Sequence, residues 1–162
     1  MLGGLAPVIA ADTRLVILGS FPGVASLAAQ QYYAHPRNRF WELVGAVIGV
    51  DLRSMAYDDR LASLRANHVG VWDVIAEAER EGSLDSAIRR HAPNALLELA
   101  AALPQLRAVG FNGGTSARIG RRLLQAGHHS LALFDLPSSS PAYTLAFEEK
   151  RRAWACLAQA LA

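Results

Sequence analysis

The run Leu15-Val16-Ile17-Leu18, closed at once by Gly19-Ser20-Phe21-Pro22-Gly23, constrains this chain more than any other stretch. Four apolar residues in a row, without polar alternation, make a strand buried on both faces, as inside a parallel sheet covered by helices. The Gly-Ser-Phe-Pro-Gly that follows cannot extend the strand or open a regular helix. It is expected to turn tightly at the strand's carboxyl end, the edge where open α/β sheets place their ligands. Further on, Tyr32-Tyr33-Ala34-His35-Pro36-Arg37-Asn38-Arg39-Phe40-Trp41 sets Asn38, His35 and Arg37 among large aromatics. That mixture suits a pocket wall better than a core.

The rest of the chain repeats the alternation of strand and helix. Strands are expected at Arg14 to Leu18, Val69 to Ile75, Leu106 to Phe111 and Ser130 to Leu136. Between them, Val24 to Tyr33 reads as a short helix with Ser26 as a candidate cap. Arg39 to Ile48 reads as a firmer one, with Phe40, Val44 and Val47 at helical spacing and Gly49 as its stop. Tyr57-Asp58-Asp59 opens another, ending at Asn67 or His68. Glu77 to His91 is polar and turn-rich, with a helical turn or two suggested by Leu84, Ala87 and Ile88. Pro93 is expected in the first turn of a helix through Leu103, Thr115 or Ser116 caps a helix through Leu124, and Leu145 to Leu161 is the last. Met1 to Thr13 is expected to pack on the outside. Strands joined by helices imply an α/β fold, a parallel sheet with helices on both faces. With 162 residues and no linker or repeat, one domain over 1–162 is expected.

Composition narrows the function classes. No apolar run is long enough to span a bilayer, and the N-terminus lacks the basic start of a signal peptide, so a cytoplasmic protein is expected. Cys156 is the sole cysteine, which excludes an intrachain disulfide, a zinc cluster and a cysteine-ligated iron–sulfur centre. The formal charge of +2 is too small for a protein that grips nucleic acid by bulk charge. Lys150 is the only lysine. Arginine supplies the other cations and favours bidentate phosphate contacts, although codon usage, which also accounts for the alanine richness, is the favoured explanation of the excess.

Each expected strand ends in a polar cluster: Ser20 with Phe21 and Gly23, then Asp73, then Asn112-Gly113-Gly114, then Ser138-Ser139-Ser140. In a parallel sheet these ends share one edge and converge on one cleft. Uncharged hydrogen-bonding groups beside aromatics suit a planar, polar, stackable ligand such as a nucleobase. Plainer readings stand beside this one. Gly113-Gly114 is a simple strand-to-helix turn or a phosphate cradle, Asp73 a cap or backbone partner near the strand end, and Asn38 an N-cap, which does not preclude catalysis. His128-His129 reads as a solvated loop rather than a metal site. The serine run lacks the elbow motif of a nucleophile.

A strand ending in Gly19-Ser20-Phe21-Pro22-Gly23, then Tyr32 to Trp41, Val69-Gly70-Val71-Trp72-Asp73-Val74, Phe111-Asn112-Gly113 and Leu136 to Ala142, in this order, resembles the uracil-DNA glycosylase superfamily. Within it the chain is most similar to the hypoxanthine-DNA (deoxyinosine) glycosylases. The resemblance implies a three-layer α/β/α sandwich with a short four-stranded parallel sheet, and excision of a deaminated base from damaged double-stranded DNA. In mismatch-specific uracil relatives an Asn follows the first motif's Gly; here Ser20 stands there. In the hypoxanthine family the essential Asn lies in the His-Pro-Arg-Asn segment, which is Asn38. By the same resemblance Tyr33 stacks on the flipped base, Asp73 reads its edge, Phe21, Gly23 and Asn112 line its pocket, and Ser138, Ser139, Ser140, Pro141 and Ala142 form the loop that enters DNA. The family's common His in that loop is absent, so Ser140 does not inherit its role.

The expectation is a monomeric, cofactor-free and metal-free glycosylase. Lys150 falls on the last helix, away from the strand ends, which implies a monofunctional enzyme without Schiff-base strand cleavage. Uracil excision on the same fold, or a catalytically silent nucleic-acid-binding module, are the alternatives.

Overall fold

The computed structural model describes residues 1–127 and 130–162; His128-His129 lies outside the described residues. In chain order the strands are β1 (Leu2–Gly3), β2 (Leu15–Gly19), β3 (Val69–Asp73), β4 (Ile75–Ala78), β5 (His91–Pro93), β6 (Ala108–Asn112) and β7 (Ala132–Leu136). The helices are α1 (Val24–Ala29), α2 (Phe40–Ile48), α3 (Tyr57–Ala66), α4 (Leu96–Ala102), α5 (Gly114–Gln125), α6 (Phe147–Trp154) and α7 (Ala158–Leu161).

Four strands form the main sheet in the order β3-β2-β6-β7, every pair parallel. All five residues of β2 are buried, as its unbroken apolar run requires. The period of two then divides its side chains between two cores. Leu15 and Ile17 pack with Phe40, Trp41, Leu43, Leu64 and Trp154 from α2, α3 and α6. Val16 and Leu18 pack with Val109, Phe111, Leu96 and Leu124 on the side of α4 and α5. The result is the three-layer α/β/α sandwich the sequence implies. The chain leaves β2 for β3 on one side, then crosses to β6 on the other. That reversal opens a crevice at the carboxyl ends of β2 and β6, the topological switch point.

Helix ends follow the punctuation. Gly49 takes φ +73° and closes α2, and Asn67 closes α3. Ser116 does not cap α5; it is buried in its first turn and donates its hydroxyl to the Leu18 carbonyl at 2.6 Å. Nor does Ser26 cap α1: it is buried within the helix, and its Oγ accepts from the Ala34 N–H.

The structure departs from the sequence expectation most between residues 74 and 95. The second strand stops at Asp73; Ile75–Ala78 turns away as β4 and joins β1 and β5 in a small antiparallel sheet. Pro93 ends β5 rather than opening a helix, and α4 begins at Leu96. A proline is compatible with the end of a short edge strand as with a first helical turn, so its presence does not choose. Between β4 and β5 a single 3₁₀ turn, Asp85–Ala87, stands where the apolar spacing suggested helix. The N-terminal segment is only partly outside: Val8 is buried and exchanges both backbone hydrogen bonds with Val71, which covers the β3 edge. The final helix is interrupted by a 3₁₀ turn at Ala155–Leu157.

Gly120 of α5 sits flat on the sheet. A Cβ there would stand 2.4 Å from the Phe111 ring and 3.1 Å from a Val74 methyl. Alanine gains about 1 kcal/mol of helix propensity, but overpacking a buried ring costs about 1–3 kcal/mol. Gly120→Ala is therefore expected to lower the melting temperature by a few degrees; a rise would show that the helix can shift off Phe111 at little cost.

Candidate active site

The ends of β2, β3, β6 and β7 surround one cavity of about 480 Å³. Its walls include Gly19, Ser20, Phe21, Pro22 and Gly23 from the first loop, and Tyr33 and Asn38 from the aromatic segment. Asp73, Asn112 and the 138–143 loop complete the strand-end side. Every residue assigned to the site from the sequence thus borders a single space.

The closest approach is at Gly19. A Cβ there would lie 2.5 Å from Asp73 Oδ1 and 2.8 Å from the Tyr33 hydroxyl. Only a residue without a side chain lets these two groups meet over the end of β2. Asp73 is 4% exposed, and its Oδ2 is buried without a hydrogen-bond partner. Its backbone carbonyl, by contrast, is held by Asn94 Nδ2 at 2.7 Å. Burial, reinforced by the Asp85 charge and opposed by Arg80, pushes the Asp73 carboxyl up to about 7. Near neutral pH much of it is a neutral acid, able to donate a hydrogen bond as well as accept one. Tyr33 is raised too, chiefly by burial and then by Asp73, and stays a phenol.

Tyr33 takes a left-handed backbone, φ +52°, and its ring lies 3.9 Å from that of Phe40 at 16°. One face of Tyr33 is therefore covered from behind. Its hydroxyl receives Asn112 Nδ2 at 3.3 Å. The same Nδ2 donates to Ser139 Oγ at 2.9 Å, and Asn112 Oδ1 accepts the Ser139 N–H at 2.9 Å. Both amide protons are committed, so Asn112 keeps one lone pair for a ligand and works mainly as a clamp between β6 and the fourth loop. Ser139 itself is 1% exposed, and its carbonyl accepts the Arg39 N–H at 3.1 Å. Within the fourth loop, Ser139 is the inward anchor, Ser138 and Ser140 are half-buried, and Pro141, Ala142 and Tyr143 face outward.

Asn38 is half-buried at the cavity wall. Its Oδ1 accepts the Phe40 N–H at 3.0 Å, so it does cap the start of α2. A carbonyl oxygen has two lone pairs, and the second remains for a water. Among the arginines near the strand-end loops, Arg37 and Arg118 are exposed. Arg39 is already engaged, paired with Glu42 and stacked 4.1 Å over Phe147.

Two features escaped the sequence reading. The first is the 82–86 turn, which lines the cavity although its contacts with the first loop and the start of α1 span 59 and 65 residues of sequence. Ser20 Oγ donates to Asp85 Oδ1 at 2.6 Å, and Ser83 Oγ accepts the Val24 N–H at 2.8 Å. Arg80, 8% exposed, donates to the carbonyls of Pro22 and Gly82 at 2.6 and 2.7 Å. A polar, glycine-containing run carries no periodicity that predicts such a contact. The second is Lys150, which corrects the expectation that no lysine approaches the cleft. It lies on α6 but is 3% exposed, and its ammonium donates to the carbonyls of Ser140 and Tyr143 at 3.1 and 2.8 Å. It braces the fourth loop from behind. Burial, then Arg39, lowers its pKa.

Comparison with known proteins agrees with this arrangement. A profile of the Uracil DNA glycosylase superfamily matches residues 6–160. A hypoxanthine DNA glycosylase of Methanosarcina barkeri is 39% identical over 152 residues, 94% of each chain. One from Methanosarcina acetivorans is 38% identical over 151 residues, 93% of this chain and 94% of that one. A Methanosarcina acetivorans protein solved by solution NMR, under the working description of a uracil DNA glycosylase, superposes with a TM-score of 0.86. It is 36% identical, covering 98% of this chain and 97% of that one.

The Asp73 shift fixes the sign of a pH effect. The folded state holds the proton up to about pH 7, whereas an unfolded aspartate releases it near 4. The contribution is full below about pH 4 and is lost as pH rises through about 7, by on the order of 2–4 kcal/mol. Asp73→Asn should therefore gain stability relative to wild type between pH 4 and pH 8 in urea denaturation. A difference between the two that is constant over that range would show that Asp73 is not protonated in the fold.

Proposed function

The chain belongs to the uracil DNA glycosylase superfamily, and on that premise we propose that it excises hypoxanthine from double-stranded DNA by hydrolysis of the N-glycosidic bond. The carrying observation is that Asn38 lines the cavity at the strand ends, while the place after Gly19 holds a serine, Ser20, and not an asparagine. The two relatives named hypoxanthine DNA glycosylase support the same substrate.

The chemistry follows from the groups present. A base inside a duplex is out of reach, so it must swing into the cavity, at a cost of a few kcal/mol that is smaller for a mispaired base. Tyr33, backed by Phe40, offers its remaining face, and stacking of this kind returns roughly 1–3 kcal/mol per base. Phe21, buried in the loop after β2, adds apolar surface to the cavity. Departure of the base leaves an oxocarbenium-like sugar and places negative charge on the purine ring. The protonated Asp73 carboxyl and the backbone N–H groups of the 20–23 loop are suited to receive that charge. An amide does not take a proton at neutral pH, so Asn38 acts by orienting the attacking water and by turning its carbonyl dipole toward the cationic sugar. The exposed Pro141, Ala142 and Tyr143 form the edge of the cavity that would meet the duplex.

The test is excision from duplexes carrying one deoxyinosine, deoxyuridine or deoxyxanthosine, with Asn38→Ala beside wild type. Deoxyinosine should be cut preferentially, and the variant should lose at least about 100-fold in rate, the scale of one removed transition-state contact. Its binding to an abasic duplex should stay within a few-fold. Dominant uracil cleavage would keep the family and reject the substrate; binding without cleavage of any base would mean a silent module.

The strand-cleavage question is separate. Schiff-base chemistry needs an amine free to attack the sugar, and Lys150 is enclosed with its protons on two carbonyls. Borohydride trapping on deoxyinosine duplex should yield no covalent adduct. A strong adduct abolished by Lys150→Met would refute the monofunctional reading.

A further inference from the structure

We infer that Asp85 is a positioning residue of this site: by accepting the hydrogen bond of the Ser20 hydroxyl, it fixes Ser20 as a hydrogen-bond acceptor toward the bound base. The inference rests on the glycosylase reading above. A serine hydroxyl has one proton and two lone pairs. In this structure the proton is spent on Asp85 Oδ1 at 2.6 Å, a charge-assisted bond of the stronger kind. Ser20 is 8% exposed and borders the cavity, so what it presents there is oxygen lone pairs.

The arrangement is built rather than incidental. Asp85 comes from a turn fastened to the first loop at two further points, Ser83 Oγ to the Val24 N–H and the Arg80 guanidinium to the Pro22 and Gly82 carbonyls. Gly82 takes φ +73° to begin that turn. In the same cavity Asp73 carries a buried carboxyl oxygen without a partner. The cavity therefore offers two polar groups of opposite kind, an obligate acceptor at Ser20 and a donor-capable acid at Asp73. A base that pairs with both must carry an N–H and a ring or carbonyl acceptor. Lactam bases such as a 6-oxopurine offer that N–H on a ring nitrogen, whereas adenine, whose N1 is a bare acceptor, offers one only on its exocyclic amine. Without Asp85 the Ser20 proton is free to rotate into the cavity, and the wall loses its fixed sign.

Asp85→Ala, Asp85→Asn, Ser20→Ala and the Asp85→Ala/Ser20→Ala double variant separate this from a merely structural role. The readouts are single-turnover excision of deoxyinosine and affinity for an abasic duplex, which presents no base. Asp85→Ala should slow excision about tenfold or more with abasic affinity unchanged. Asp85→Asn, whose amide oxygen still accepts the Ser20 proton, should recover to within a few-fold. In the Ser20→Ala background the loss of Asp85 should add little, because contacting residues are non-additive when one acts through the other. Full additivity, an Asp85→Asn as slow as Asp85→Ala, or no effect of Asp85→Ala would each overturn the inference with the glycosylase reading intact. A wild type that cuts no deoxyinosine would overturn that reading, and this inference with it.

Discussion

The structure depends on a close approach that only one residue type permits. At the end of β2, Gly19 leaves room for the Asp73 carboxyl and the Tyr33 hydroxyl to occupy the volume a side chain would fill. Two distant parts of the chain, the end of the neighbouring strand and the aromatic segment before α2, are thereby brought to one point. The parallel sheet supplies the direction, since all four strands deliver their ends to one edge. The absent side chain supplies the distance. A methyl at Gly19 would not merely narrow the cavity; it would displace the acid that borders it.

The cost of that arrangement is a buried carboxyl with an oxygen unpartnered. Leaving such a group unsatisfied in the fold costs about 1–3 kcal/mol, more if it is charged. Protonation reduces the penalty, and two cores of large apolar side chains on either face of the sheet offset what remains. Few positions tolerate that kind of burial, and this one sits at the topological switch point, where the fold places ligands rather than where it needs support.

How much was legible beforehand divides along a physical line. Three of the main strands, β2, β3 and β6, announce themselves because burial on both faces demands continuous apolar runs, and the run 15–18 has no other reading. The strand-end loops were legible because Gly, Pro and Ser punctuate them, and Asn38 because a resemblance singled out its segment. What local pattern could not carry is contact between polar stretches far apart in sequence. Nothing in Glu81-Gly82-Ser83-Leu84-Asp85 distinguishes a solvated turn from one whose carboxylate meets Ser20. Pro93 permits both a strand end and a helix start, and pairing with Ile75 of β4 decided between them. Lys150 was placed on the right helix, but the fold of the 138–143 loop, not helical position, determines what its ammonium touches.

That last residue has a consequence for the chemistry of the product. Removal of a base leaves a sugar that opens to an aldehyde, and aldehydes condense with neutral amines. This chain has one lysine, and it is enclosed behind a loop. The other side-chain cations are guanidiniums, which stay protonated and are poor nucleophiles, and imidazoles, which form no stable imine. A protein built this way meets its product with no side-chain amine on its surface to tether it there.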